Sequence, residues 1–118
     1  MAELSDTAVV LIDPYNDFMH PEGKLNPALK PFNEINTLEN IQQVVNIARD
    51  QKIPIFYGLH QQVNANSFMG WQHMTKANAR QKQMKFFEEG TWGAQIYQGL
   101  EPDASAGDVV VSKHWNSE

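Results

Sequence analysis

An apolar run near the start of the chain constrains the fold more than any other feature. The run is TAVVLID, residues 7 to 13, and it ends at Asp13, which is followed directly by Pro14. Its apolar positions are continuous rather than alternating, which is typical of a strand covered on both faces, as in a parallel sheet. The run therefore predicts a buried strand with a carboxylate at its carboxyl end.

A helix and a second strand follow this run. The segment NPALKPFNEIN contains two prolines and is predicted to be a loop. The apolar residues after it recur at spacings of three and four and share one helical face; they are Ile35, Leu38, Ile41, Val45 and Ala48. Asn33 or Asn36 is suited to cap this helix. IPIFYGL, residues 53 to 59, predicts the next strand, so the three elements form a βαβ unit with a right-handed crossover.

The second half of the chain continues the alternation. Residues 71 to 89 are polar and compatible with a helix that stops at Gly90. TWGAQIYQGL predicts a short helix or turn, and EPDASAGD predicts a loop. VVVS, residues 109 to 112, predicts a third strand. The whole pattern indicates an α/β fold with helices on two faces of a parallel sheet, and 118 residues suffice for one small domain.

Composition excludes several classes of protein. Hydrophobic residues make up 42% of the chain and charged residues 19%, which is globular composition. The net charge of −5 argues against a general nucleic-acid binder, because phosphate neutralisation needs a basic surface. No apolar run approaches the ~20 residues that span a bilayer, and no secretory signal is visible, so a cytoplasmic protein without membrane partners is expected. The absence of cysteine excludes disulfides and a thiol nucleophile within this chain.

Polar residues follow the three predicted strands at their carboxyl ends, where ligands bind in open α/β sheets. These residues are Asp13, His60 and Lys113. A carboxylate at the mouth of an apolar sheet is partly desolvated, and its pKa rises unless a cation compensates. Lys113 is the candidate cation, and the pair predicts a general base with a charge partner. The alternative has about even weight: Asp13 caps a loop or helix, and Lys113 is solvated at a strand end.

Other motifs are absent or indicate structural roles. Asp17 is expected to hydrogen-bond loop amides. A single histidine after a strand is more often a polar contact than a ligand, and no carboxylate sits at short spacing beside His60, so neither a metal nor a cofactor is predicted. DPYNDF stands where a dinucleotide-binding protein has its glycine-rich turn. DPYNDF also lacks the glycine- or serine-rich turn of a flavodoxin-like domain. A small binding domain of that kind is therefore the least favoured of the functional alternatives.

Three segments together resemble the isochorismatase-like hydrolases, also called the cysteine hydrolase superfamily. They are VVLIDPYNDFMHPEGKL, GTWGAQI and VVVSKHWNS, in the family's order and across the whole chain. The resemblance implies a three-layer α/β/α domain with a Rossmann-like parallel sheet. It also implies hydrolysis of a small amide or related C–N bond, or of an isochorismate-type vinyl ether. Asp13 then matches the proton-transfer residue and Lys113 its charge partner.

Four residues are candidates for substrate binding; for the three aromatic ones the alternative is core packing or surface exposure, and for the histidine it is a polar contact. They are Phe18, His60, Trp92 and Trp115. Two departures from the family pattern also matter. Gly58 stands where metal-binding relatives have a carboxylate, and the family cysteine follows a further strand that this chain does not contain. The resemblance thus implies that residues 1–118 form one domain without the C-terminal strands and nucleophile region, truncated after the third main strand.

Contact between Asp13 and Lys113 requires neighbouring strand ends, because adjacent strands lie ~4.8 Å apart. The VVVS strand is therefore expected beside TAVVLID, on the side away from IPIFYGL, with a ligand in the gap between them. This order leaves VVVS with a free apolar edge. We expect association with a second copy or a complementary chain in addition to a small-molecule substrate. The alternative function is a non-catalytic fragment that associates through this edge.

Overall fold

The computed structural model describes residues 6–115, which form a three-stranded parallel sheet with flanking helices. The strands are β1 (Val9–Ile12), β2 (Ile55–Leu59) and β3 (Val109–Ser112). The α-helices are α1 (Asn16–Met19), α2 (Lys30–Glu34), α3 (Thr37–Asp50) and α4 (Lys76–Met84). Short 3-10 helices span Asn26–Ala28, Trp92–Ala94 and Ala104–Ala106. The predicted α/β class and parallel sheet are confirmed.

The order of the strands differs from the prediction. The sheet order is β1-β2-β3, so the VVVS strand pairs with β2 and not with β1. The expected gap between β1 and β3, with a ligand in it, was therefore wrong. VVVS is nevertheless an edge strand, and β1 forms the other edge of the described sheet. The prediction failed because it required adjacent strands for a contact that a long lysine side chain makes across the end of β2.

Helix α3 covers one face of the sheet. Its residues Val45 and Ala48 are buried against Leu11, Ile55 and Tyr57. The predicted stripe of apolar residues explains this packing, because residues three and four apart face the same side of a helix. Asn36 occupies the N-cap position in the left-handed conformation, although its side chain makes no capping hydrogen bond.

The opposite face of the sheet is bare in the part of the chain that the structure describes. The strand register aligns Val10 with Phe56 and Val109, and it aligns Ile12 with Gly58 and Val111. The five large side chains of these rows are between 40% and 62% exposed; they are Val10, Ile12, Phe56, Val109 and Val111. We call these five residues the bare face. Of the two helical layers expected, the described residues form the one that contains α3.

Two helical predictions need correction. The helix predicted over residues 71 to 89 is only Lys76–Met84, and it ends at Lys85 in the left-handed conformation rather than at Gly90. Thr75 starts this helix, since its side chain accepts a hydrogen bond from the Asn78 amide. The segment after the helix instead buries Phe86 and Phe87 in a second apolar cluster. The predicted loop NPALKPFNEIN contains a 3-10 turn and helix α2.

Asp108 fixes the start of β3 to the rest of the sheet. Its inaccessible carboxylate accepts hydrogen bonds from both terminal nitrogens of Arg49, at 2.8 and 2.6 Å. It also accepts from the Ile55 amide at 2.9 Å and the Asp103 amide at 2.8 Å. One carboxylate therefore connects the end of α3, the start of β2 and the start of β3.

This arrangement predicts acid sensitivity. Burial alone would raise the pKa of Asp108, but the hydrogen bonds from Arg49 and from the Asp103 and Ile55 amides lower it from 3.8 to about 2. Because the pKa is lower in the folded state, the stabilisation is complete above about pH 4 and is lost as the pH falls towards 2. Asp108→Asn should therefore flatten the decline of the free energy of unfolding between those pH values. Urea unfolding at several pH values measures this slope.

Asp50 provides the matched control, because it is an exposed carboxylate at the end of α3. Asp50→Asn should retain the acid dependence of the original chain. Identical slopes for the original chain and for Asp108→Asn would contradict the role given to Asp108.

Candidate active site

Asp13 lies directly after β1 in a strained backbone conformation. Its φ is 51°, in the left-handed region that side chains other than Gly, Asn and Asp rarely adopt. The next residue is Pro14, which further restricts the backbone before it. The Asp13 amide still donates to the Gly58 carbonyl at 3.1 Å, so the strand pairing continues to this residue. The bend aims the side chain across the end of the sheet.

The Asp13 carboxylate connects the ends of the other two strands. Its Oδ1 accepts from the His60 amide at 2.6 Å, and its Oδ2 accepts from Lys113 Nζ at 2.7 Å. The Lys113 amide donates to the Leu59 carbonyl at 2.7 Å, which fixes β3 beside β2 at this end. The ion pair is largely shielded, since the side chains of Lys113 and Asp13 are only 4% and 16% exposed. Breaking such a shielded pair destabilises a fold far more than breaking a surface ion pair, because the remaining charge is left without a partner and away from water.

Tyr15 supports the site through the backbone of His60. Burial, together with the negative charge of Asp13, raises the pKa of Tyr15 to about 12. The hydroxyl therefore stays protonated near neutral pH and donates to the His60 carbonyl at 2.7 Å. Asp13 and Tyr15 thus hold the His60 backbone from its amide and its carbonyl.

A cleft of about 230 Å³ opens at Asp13. Its other lining residues are all apolar: Ile12, Phe18, Met19, Leu29 and Phe32. Asp13 is thus the only charged residue among those that line it. The arrangement combines a carboxylate, a shielded ammonium group and an apolar wall, which is suited to proton transfer to or from a bound molecule.

The predicted substrate-binding residues fall in three places. Phe18 lines the Asp13 cleft, and its ring lies 4.9 Å from that of Phe87. His60 contacts Asp13 through its backbone amide, while its ring is buried with Phe87 at 5.2 Å and Trp115 at 6.2 Å. Trp115 also stacks on Phe68 at 4.6 Å and lines a separate cleft of about 300 Å³.

Trp92 lies away from the Asp13 cleft. It lines a larger polar cleft of about 540 Å³, where its ring meets that of His20 edge-on at 4.8 Å. The Asn16 side chain donates to the Trp92 carbonyl at 2.9 Å, and this same residue belongs to α1. The structure therefore brings Phe18 to Asp13 but places Trp92 at a different cleft.

Sequence reasoning missed several residues at the site. Leu29 and Phe32 were within a predicted loop, although two apolar residues three positions apart signal a helical turn. Phe87 was within a predicted helix, yet it has a φ of 55° and its ring contacts Tyr15, Phe18 and His60. No local pattern identifies such a residue, because its conformation depends on distant contacts.

Asp17, in α1, accepts hydrogen bonds from loop amides, as predicted. It is 2% exposed and accepts hydrogen bonds from the Lys24 amide at 3.2 Å and the Phe87 amide at 3.0 Å. A Cβ atom at Gly93 would lie 2.3 Å from its Oδ1, so any larger residue there would collide with the carboxylate. The absence of a side chain at Gly93 therefore permits the close approach of the first two family-like segments at Asp17.

Within the described residues, no group of three or more metal-ligating side chains is arranged to hold a metal ion. A search of the helices in residues 6–115 finds none that combines the length and apolar character needed to cross a bilayer.

Comparison with known proteins identifies the family of this chain. The sequence model of the isochorismatase domain matches residues 7–117, which is nearly the entire chain. This chain therefore belongs to the isochorismatase family, whose members share a hydrolase-type function in general. No curated protein matches the chain.

Proposed function

We propose that this chain is a hydrolase of a small amide or related C–N bond, or of an isochorismate-type vinyl ether. The observation that supports this proposal is the contact between Asp13 and Lys113, 100 residues apart in sequence and 2.7 Å apart in space. Both residues match the family pattern, and both lie where parallel strands end. A cytoplasmic location belongs to the same proposal.

In this mechanism, Asp13 moves the proton. With an amide, its carboxylate takes a proton from the attacking water and returns it to the leaving amine. With a vinyl ether, the carboxyl group first takes up a proton from the solvent and delivers it to the double bond. The resulting carboxylate then receives a proton from the water that adds and returns it to the solvent. Lys113 is the charge partner of Asp13 and offsets the negative charge of its carboxylate. Water is the proposed nucleophile in both cases, since these 118 residues contain no thiol.

Turnover by the purified chain tests the proposal. The substrates are nicotinamide, benzamide, other small amides and isochorismate, with product formation followed by chromatography. Hydrolysis of one of them above the rate without protein is expected. A chain that is folded by circular dichroism but hydrolyses none of them would contradict the proposed activity.

A second candidate function is association between copies through the sheet. The bare face presents five apolar side chains in register. Backbone amides alternate in direction along a strand, and those of Val9 and Asp13 donate towards β2, so the amides of Val10 and Ile12 point to the open edge of β1. An unpaired apolar edge is a template for another strand. β1 and the bare face together therefore support self-association.

Sedimentation measures this association. A concentration-dependent dimer is expected, and Val10→Lys should shift it towards monomer because a charge on the edge opposes pairing. Met69→Lys is the matched control, since Met69 is 70% exposed and lies outside the sheet. A monomer at all concentrations would contradict this candidate function.

A further inference from the structure

The wall of the Asp13 cleft carries information about the substrate that the Asp13–Lys113 pair alone does not. Asp13 is the one charged residue among the six that line the cleft, and the other five are apolar. Three of the five come from α1 and β1, and two come from the segment 26–34. This inference rests on the proposed function, because it assigns a substrate class to the same site. Within that function it favours uncharged amides over isochorismate, which is a dianion, so turnover of isochorismate would support the function and overturn the substrate class.

Lys113 is not available to bind an anionic substrate. Its ammonium group lies 2.7 Å from Asp13, and its side chain is 4% exposed. A carboxylate bound in the cleft would therefore lose water next to a carboxylate whose counter-ion is already engaged. Burial of a charge without a partner is strongly unfavourable, and like charges at short range repel.

The wall is held in place before any ligand binds. Asn26 is 3% exposed, and its side-chain nitrogen donates to the Phe18 carbonyl at 2.8 Å. The Asn33 side chain donates in turn to Asn26 Oδ1 at 3.2 Å. These bonds connect the segment that contains Leu29 and Phe32 to α1, the helix that contributes Phe18 to the same cleft. A prearranged apolar wall lowers the entropy lost when a ligand is bound.

The volume of the cleft limits the size of the ligand. About 230 Å³ is smaller than the ~300 to 1,000 Å³ typical of sites for drug-sized ligands. It suits a single ring or a short branched alkyl group next to the bond that reacts. We propose that the Asp13 cleft selects small uncharged substrates with one compact apolar group, and that Leu29 and Phe32 are its specificity-determining residues.

Binding of benzamide and benzoate to the purified chain tests the proposal. The two molecules have nearly the same shape and differ by one unit of charge, and chemical-shift titration measures both. Benzamide should bind saturably, and benzoate should bind at least tenfold more weakly. Equal or tighter binding of benzoate, or no saturable binding of benzamide, would overturn the proposal.

Variants locate the bound ring. Leu29→Ala and Phe32→Ala should each weaken benzamide binding several-fold, whereas Met69→Ala, at an exposed position outside the cleft, should not. Leu29→Lys should improve benzoate binding relative to benzamide, because it supplies the missing cation. Thermal unfolding of each variant verifies that the fold is retained. Unchanged affinities in both alanine variants would overturn the assignment of Leu29 and Phe32.

Hydrolysis in the same samples separates this proposal from the proposed function. Benzamide that binds as described but is not hydrolysed, with no other amide or isochorismate turned over, counts against the function and leaves the substrate class standing. Faster hydrolysis of 4-carboxybenzamide than of its uncharged match, terephthalamide, supports the function and overturns the substrate class.

Discussion

Asp13→Asn is expected to reduce turnover by about 10²- to 10⁴-fold, the usual contribution of a positioned general acid or base. Asparagine preserves the shape of the side chain and tolerates the left-handed backbone that Asp13 adopts with a φ of 51°. It can still accept a hydrogen bond from the His60 amide. It loses the ability to take up and release a proton, and it leaves the shielded Lys113 ammonium group without its counter-ion. Steady-state hydrolysis of whichever substrate the purified chain accepts measures the change.

The control for this variant is Asp50→Asn, which makes the same chemical change on the exposed end of α3. It should retain full turnover. Because Asp13→Asn also breaks the pair with Lys113, its thermal midpoint should fall, and circular dichroism at the assay temperature separates loss of chemistry from loss of fold. Turnover of Asp13→Asn within a factor of three of the original chain would refute proton transfer by Asp13.

Lys113→Met is expected to lower the free energy of unfolding by about 3 to 5 kcal/mol, because it leaves the Asp13 carboxylate shielded from water and without its counter-ion. Methionine retains most of the length and apolar stem of lysine, so packing changes little. The double variant Asp13→Asn/Lys113→Met should recover much of the loss, since no charge is then left unpaired. Urea unfolding of the three variants measures the coupling.

Lys82→Met provides the comparison for this series, because Lys82 is exposed on α4. Its effect should be within about 0.5 kcal/mol, as for most surface substitutions. If Lys113→Met does not fold well enough to measure, the double variant still gives a result. A double variant no more stable than Lys113→Met would show that the Asp13–Lys113 pair does not carry the predicted coupling.

Local pattern was sufficient to locate the three strands and helix α3. The runs before Asp13, His60 and Lys113 are apolar, and parallel strands place their carboxyl ends at one edge, so the Asp13–Lys113 contact could be predicted. The order of the strands could not. The predicted order and the observed order both bring these two residues to the carboxyl ends of the strands, so their contact does not distinguish the orders. In the structure β2 lies between them, and the His60 amide that follows it also donates to Asp13.

The apolar wall of the cleft could not be predicted from the sequence, for a different reason. Two prolines made the segment 26–36 look irregular, whereas proline in the first turn of a helix is well tolerated, as at Pro31 in α2. Phe87 depends on a hydrogen bond to Asp17, 70 residues away. Contacts of this length are set by the assembled fold and have no counterpart in local periodicity.

The close approach of Asp17 and Gly93 has a consequence for how sequences of this fold can diverge. The carboxylate occupies the volume that a side chain at position 93 would need, so the sizes of the residues at the two positions are sterically coupled. We expect relatives with a larger residue at the position of Gly93 to have a shorter side chain at the position of Asp17, and to stabilise the Phe87 amide by another acceptor. A chimera of two such relatives should fold only when the residues at the positions of Asp17 and Gly93 both come from the same parent.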